Sequence, residues 1–157
     1  MRVGFGYDIH KLKKGRDLFL GGVKIPHEKG LDGYSDADVL IHAVADSILG
    51  ACGSFDIGYY FPDTDPKYKG IRSIELLKHV VKIVKDKGFL VNNIDSVIVA
   101  EQPRISPYVE QIKKNLSIVI GIDENKIGVK ATSNEGMDSI GQGLAIAAYA
   151  ISSLIEK

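Results

Sequence analysis

Cysteine is nearly missing from this chain: Cys52 is the only one among 157 residues. No internal disulfide can form and no cysteine-rich zinc site can be built, which fits a reducing compartment. Net charge is missing as well. Twenty Lys and Arg balance twenty Asp and Glu, so no basic field favours nucleic acid as a partner, and any phosphate must be held by local groups. No run approaches the about 18 unbroken apolar residues of a membrane span. The opening residues lack the basic start and apolar core of a secretory signal. These absences set the expectation of a cytoplasmic protein without nucleic-acid or membrane partners, or a plastid one if a transit peptide has been removed. No glycine-rich phosphate loop, catalytic cysteine or Ser-His-Asp set stands out either.

What is present is the composition of a globular domain. With 45% hydrophobic and 25% charged residues, the chain can bury a real core. No repeat, linker or low-complexity segment divides it, so residues 1–157 are expected to form one domain.

Near the start, Gly6-Tyr7-Asp8-Ile9-His10 follows an extended-looking run. On a strand, residues two apart share a face, so Asp8 and His10 project together with Ile9 turned away. A carboxylate oxygen beside an imidazole nitrogen is half of a zinc site. The missing ligand is sought on the first helix, which the pattern Ser35-Asp36-Ala37-Asp38 opens, Ser35 capping and Asp38 serving as the acidic half of a capping box, and which runs to about Ala51. Asp38, His42 and Asp46 form one polar ridge along it, amid Val39, Leu40, Ile41, Val44, Ile48 and Leu49. A helix that apolar is enclosed, so His42 needs a partner, and a metal shared with Asp8 and His10 supplies one. Two imidazoles and a carboxylate leave zinc an open position, for Lewis-acid work on either a bound water or a phosphate.

Further elements follow from the same reasoning. Lys11 to Asp17 reads as a polar connector, and Leu18–Leu20 and Val23–Ile25 as short strands around Gly21-Gly22. Residues 53–70 make a long loop of aspartates, hydroxyls and aromatic rings, suited to a polyol. A helix is predicted from Ser73 to Lys87, a strand from Ile94 to Ala100, and a helix capped by Ser106 and begun by Pro107. Ile127–Thr132 reads as a strand, and Gly143 to Ile155, rich in Ala, Ile and Leu, as a fourth helix. The fold class expected is α+β, a two-layer α/β sandwich of ferredoxin-like (split βαβ) kind with helices on one face of the sheet. At one strand end Glu135 is placed to hold a second, harder cation such as magnesium.

Gly-Tyr-Asp-Ile-His at 6–10, Ser-Asp-Ala-Asp-Val-Leu-Ile-His at 35–42, Asp-Ile-Gly at 56–58, Phe-Pro-Asp-Thr-Asp-Pro at 61–66 and Lys-Ala-Thr-Ser-Asn-Glu at 130–135 resemble the 2-C-methyl-D-erythritol 2,4-cyclodiphosphate synthase family from end to end. The resemblance implies a homotrimer with sites between subunits. It also implies cyclisation of 4-diphosphocytidyl-2-C-methyl-D-erythritol 2-phosphate with release of CMP, a step of the non-mevalonate isoprenoid route. Carried over by position, Asp8, His10 and His42 would bind zinc and Glu135 a magnesium or manganese ion, while Tyr34, Ser133 and Glu135 would take part in catalysis. Asp8, His10, Tyr34 and Ser35 would also meet the substrate. Asp56, Ile57 and Gly58, with Phe61, Pro62, Asp63, Thr64 and Asp65, would hold the erythritol part. Ala100, Glu101, Gln102, Pro103, Arg104, Ile105 and Ser106, with Thr132, Ser133 and Asn134, would surround the cytidine and its phosphate.

Three departures from the family pattern stand out. Tyr34 occupies a usual histidine position, Ser133 a usual threonine, and Ser139 and Gln142 the places of a Phe and an Arg. Two other readings of the motifs are a zinc phosphohydrolase and a non-catalytic nucleotide-diphosphate binding module. A cyclic rather than linear product separates the first from a synthase, and turnover releasing CMP excludes the second.

Overall fold

The alanine-rich segment read as a fourth helix is the middle strand of the sheet. In the computed structural model, which describes residues 1–157, Ala145–Glu156 (β7) pairs antiparallel with Arg2–Lys14 (β1) on one side and Phe89–Val99 (β5) on the other. Alanine favours helix in isolation, but tertiary packing overrides that weak preference. Ala148, Ala150 and Ser152 are buried on one face of β7, where small side chains let a helix lie close.

Lys29–Leu31 (β4) pairs with the far end of β1, and Ile127–Thr132 (β6) runs parallel to β5, giving the order β4-β1-β7-β5-β6. Leu18–Leu20 (β2) and Val23–Ile25 (β3) form a separate hairpin about Gly21 and Gly22, both at positive φ, where a side chain is disfavoured. The main helices are Val39–Ala51 (α1), Ser73–Asp86 (α3) and Val109–Ile120 (α4), with single turns at Ile57–Tyr60 (α2) and Asp138–Gly141 (α5). The path from β1 through α1 and α3 to β5 is a split βαβ, with β7 between its strands. The path from β5 through α4 to β6 joins direct neighbours. One split unit and one unsplit unit therefore make the mixed α/β sheet.

Several boundaries move. The expected connector at Lys11–Asp17 is largely strand, because β1 continues to Lys14 to receive β4. β5 starts at Phe89 rather than Ile94, extended by its pairing with β7. Ser106 opens a 3-10 turn and caps nothing, so α4 begins at Val109. α1 begins at Val39 because Ala37 adopts a left-handed φ of 55°, which breaks any helix from Ser35. Asp38 is itself the cap: it accepts from the amide of Ile41 at 3.1 Å and from those of Gly21 and Gly22 at 3.0 and 2.7 Å. It thereby fastens the hairpin to the helix.

α1 lies on β1 and β7 and is buried on nearly all sides. The opposite face of the sheet is bare: Val3, Phe5, Tyr7, Tyr149 and Ile151 are exposed, Phe5 by 62%. No helix is long and apolar enough to cross a membrane.

Candidate metal centre and substrate cleft

β1 delivers Asp8 and His10 to the helix-covered face of the sheet, and α1 delivers His42 to the same point. Asp8 Oδ2 lies 2.9 Å from His10 Nε2 and 2.9 Å from His42 Nδ1, and the two nitrogens are 3.4 Å apart. One ligand atom from each residue falls within 4.8 Å of the others. His10 Nδ1 donates to the carbonyl of Asp32 at 2.9 Å, so its Nε2 faces the shared corner. That backing hydrogen bond is the usual companion of a metal-ligating imidazole. Two nitrogens and one oxygen form a donor set that fits a divalent transition metal.

The carboxylate of the corner is matched to a cation. Burial pushes the Asp8 carboxyl up, but hydrogen bonds from His10 and His42 and their positive charge outweigh it and hold Asp8 at about 2. Burial lowers His10, yet the hydrogen bond and charge of Asp8 leave it raised. The corner therefore keeps an ionised carboxylate ready for a cation. Asp46, one turn beyond His42, is raised by burial although it accepts from the amide of Ile57 at 2.8 Å. Its task is to pin the start of α2 rather than to orient an imidazole.

A cleft of about 380 Å³ opens beside His10 and His42, lined also by Tyr34, Ser35, Ile57, Gly58, Phe61, Pro62, Asp63 and Thr64. Ile57, Gly58 and Phe61 to Thr64, six of the residues expected around a polyol, thus line the hollow beside the corner, whereas Asp56 and Asp65 do not. The Tyr34 hydroxyl donates to the carbonyl of Asp65 at 3.1 Å, closing one rim. Asp56 caps α2 through the amide of Tyr59 and faces a neighbouring depression.

A separate depression, also about 380 Å³, is lined by Ala100, Glu101, Gln102, Pro103, Arg104, Ile105 and Ser106 with Ala131, Thr132 and Ser133. Glu101 Oε1 accepts from the amide of Asn134 at 2.7 Å, tying the two segments together. Glu135 sits beyond it at a left-handed φ of 53°, its Oε1 3.4 Å from Ser133 Oγ. Ser139 and Gln142, on and just after α5, line neither hollow. Within one chain the predicted residues that line these two hollows therefore form two groups that do not merge, and Asp56, Glu135, Ser139 and Gln142 lie outside both.

One residue escaped the sequence reading. Ser73, noted only as a helix start, is fully buried with its Oγ 2.9 Å from His42 Nε2. No local pattern marks it, because its partners lie more than thirty positions away in the chain.

A mixed α/β sheet with an Asp-His-His corner beside a cleft of this size defines a protein with a candidate metal site next to a hollow fit for a small ligand. The chain belongs to the YgbB family, whose model matches residues 1–155. It is 54% identical, over the whole of both chains, to the 2-C-methyl-D-erythritol 2,4-cyclodiphosphate synthase of Clostridium botulinum. Among solved structures it is similar to IspF of Plasmodium falciparum in complex with CDP, at 39% identity and a TM-score of 0.87, covering 99% of this chain and 96% of that one. It also matches the bifunctional IspDF of Campylobacter jejuni, at 38% identity and a TM-score of 0.96, covering 99% of this chain but only 42% of that longer one.

Proposed function

We propose that this protein cyclises 4-diphosphocytidyl-2-C-methyl-D-erythritol 2-phosphate to 2-C-methyl-D-erythritol 2,4-cyclodiphosphate, releasing CMP. An oxygen of the 2-phosphate attacks the β-phosphorus of the diphosphate. The bond from that phosphorus to the bridging oxygen breaks, and CMP leaves with the electron pair. The nucleophile belongs to the substrate, so the protein has to fold it into a ring and offset charge. This accounts for a site without a catalytic serine or cysteine.

The observation that carries the reading is the convergence of Asp8, His10 and His42 on one point at the mouth of the cleft. These three residues would hold zinc, which supplies Lewis-acid polarisation of a phosphate oxygen. Asp56, Gly58 and Phe61 to Asp65 grip the erythritol portion, and Tyr34 turns its hydroxyl from the Asp65 carbonyl to a phosphate. Ala100 to Ser106 with Thr132 and Ser133 would receive the cytidine, and Glu135 would hold magnesium or manganese, which would offset phosphate charge.

The separation of the two hollows in one chain supports assembly as a homotrimer, with the nucleotide pocket of one subunit placed against the metal corner of the next. The bare apolar sheet face built by Val3, Phe5, Tyr7, Tyr149 and Ile151 supplies the surface such an assembly buries. The reaction takes place in the cytoplasm, with no nucleic acid or membrane involved.

The test is incubation of zinc- and magnesium-replete protein with the cytidyl substrate, followed by phosphorus NMR. CMP and a cyclic diphosphate are expected in equal amounts. A linear product would make the protein a hydrolase. His42→Ala is expected to abolish product while the subunit assembly persists.

A further inference from the structure

We propose that Ser73 and Asp36 form a positioning relay behind His42, one that fixes which ring nitrogen is turned to the metal corner; it rests on the metal reading given above. His42 Nδ1 faces Asp8 at 2.9 Å, while Nε2, on the other side of the ring, lies 2.9 Å from Ser73 Oγ. A serine hydroxyl has one proton to give and lone pairs to receive. The other polar neighbours of Ser73 Oγ are Asp36 Oδ1, within hydrogen-bond distance, and Ser35 Oγ, at the outer limit of 3.5 Å.

The other groups that bond to the Asp36 carboxylate are donors. Its Oδ1 accepts from the amide of Asp38 at 3.2 Å and its Oδ2 from the amide of Ser73 at 3.1 Å. Arg72 Nε lies 3.4 Å from Oδ2. That guanidinium is held in turn over the Phe19 ring, 4.3 Å from its centroid, and donates to the carbonyl of Gly22 at 3.1 Å. Asp36 surrounded in this way is an acceptor, so the Ser73 proton goes to it. Ser73 Oγ is left to accept from His42 Nε2–H, so Nδ1, which reaches Asp8 at 2.9 Å, is the nitrogen that would give up its proton and offer its lone pair to a metal in the corner.

The relay is enclosed. Ser73 is fully buried and Asp36 and His42 are each at most 9% exposed, so water does not replace its members cheaply. Ser35 Oγ also lies near His42 Nε2, but at 3.4 Å, and it already accepts from the amide of Ala37 at 3.1 Å. α3 has no side-chain cap from Arg72 at its start. The Asp36 bond to the Ser73 amide does that work and holds Ser73 in place. His10 obeys the same logic with the nitrogens exchanged, since the backbone carbonyl of Asp32 accepts from its Nδ1–H at 2.9 Å.

The test titrates native protein, Ser73→Ala, Asp36→Asn and the double variant with zinc alone, against a coloured chelator. Each single variant is expected to bind zinc about 10- to 100-fold more weakly. The double variant is expected to be no worse than the weaker single, because both act along one path. In zinc-loaded native protein the His42 Nε2 proton should exchange slowly by nitrogen-15 NMR, and Ser73→Ala should lose it to solvent. Native zinc binding with unaltered affinity in both single variants, or losses that multiply in the double, overturns the relay alone. A native protein that takes up no zinc overturns the metal reading and the relay together. If Ser73→Ala does not fold, the zinc-loaded native spectrum decides: a protonated Nε2 supports the relay, and zinc on Nε2 with a protonated Nδ1 sinks it.

Discussion

A Cβ built on Gly6 would fall 1.9 Å from the carbonyl oxygen of Ala43, and one on Gly4 2.0 Å from that of Ser47. The backbones of β1 and α1 touch there, with no room for a methyl group. This contact sets the distance between Asp8, two residues after Gly6, and His42, next to Ala43. Gly6→Ala must push the helix off the strand. It is expected to cost about 2–3 kcal/mol in urea unfolding, at the upper end for overpacking, and to weaken zinc binding in the same protein. A variant within about 0.5 kcal/mol of native, with native zinc affinity, would show that the corner does not depend on this contact.

The metal corner is legible in the sequence because each half obeys a simple period. Asp8 and His10 share a strand face, and His42 interrupts a helix too apolar to be a surface element. β7 reads wrongly as a helix because Ala148 and Ala150 owe their size to the helix packed on them, which composition alone renders as helical preference. The alternation of Ala147, Tyr149 and Ile151 onto the opposite face holds the contrary signal. Asp38 reads as half of a capping box because nothing near it announces the left-handed turn at Ala37. The roles of Ser73 and Asp46 exist only through partners brought in by the fold.

Asp38 gives a pH dependence of definite sign. It is fully buried, and burial, reinforced by Asp36, pushes its carboxyl from 3.8 to about 6 despite three backbone amides. Between these values the unfolded chain ionises while the folded chain keeps its proton, so this residue's contribution to stability falls as pH rises from about 4 to about 6. A displacement of that size corresponds to about 3 kcal/mol. Urea unfolding of native protein and Asp38→Asn across this range should show native losing about that much relative to the variant. A native protein that gains on the variant over the same range would contradict the assignment.

The bare sheet face makes the assembly testable without touching the site. Tyr149 packs against Tyr7 and Phe5 at centroid distances of 4.9 and 6.2 Å and is surrounded by exposed apolar groups. Tyr149→Arg places a charge where a subunit contact would be dry, at a cost of several kcal/mol per contact. Sedimentation is expected to show trimers for native protein and monomers for the variant, with circular dichroism unchanged and CMP release lost. A native monomer with full turnover would remove the interface reading.

The proposed role of Glu135 can be tested apart from the proposed zinc corner. Glu135 stands just past Ser133, which lines the second hollow, and apart from the Asp8–His10–His42 corner, so the two proposed ions should fail independently. Glu135→Gln keeps the shape and removes the charge. A lost charged contact of about 1.5–3 kcal/mol corresponds to a requirement for magnesium raised roughly 10- to 100-fold. Zinc content, read by elemental analysis, should stay at the native level in this variant, whereas His42→Ala should lose zinc whatever the magnesium concentration. Turnover measured against magnesium at saturating zinc distinguishes the outcomes: an unshifted curve for Glu135→Gln would mean that the second cation is held by the substrate alone.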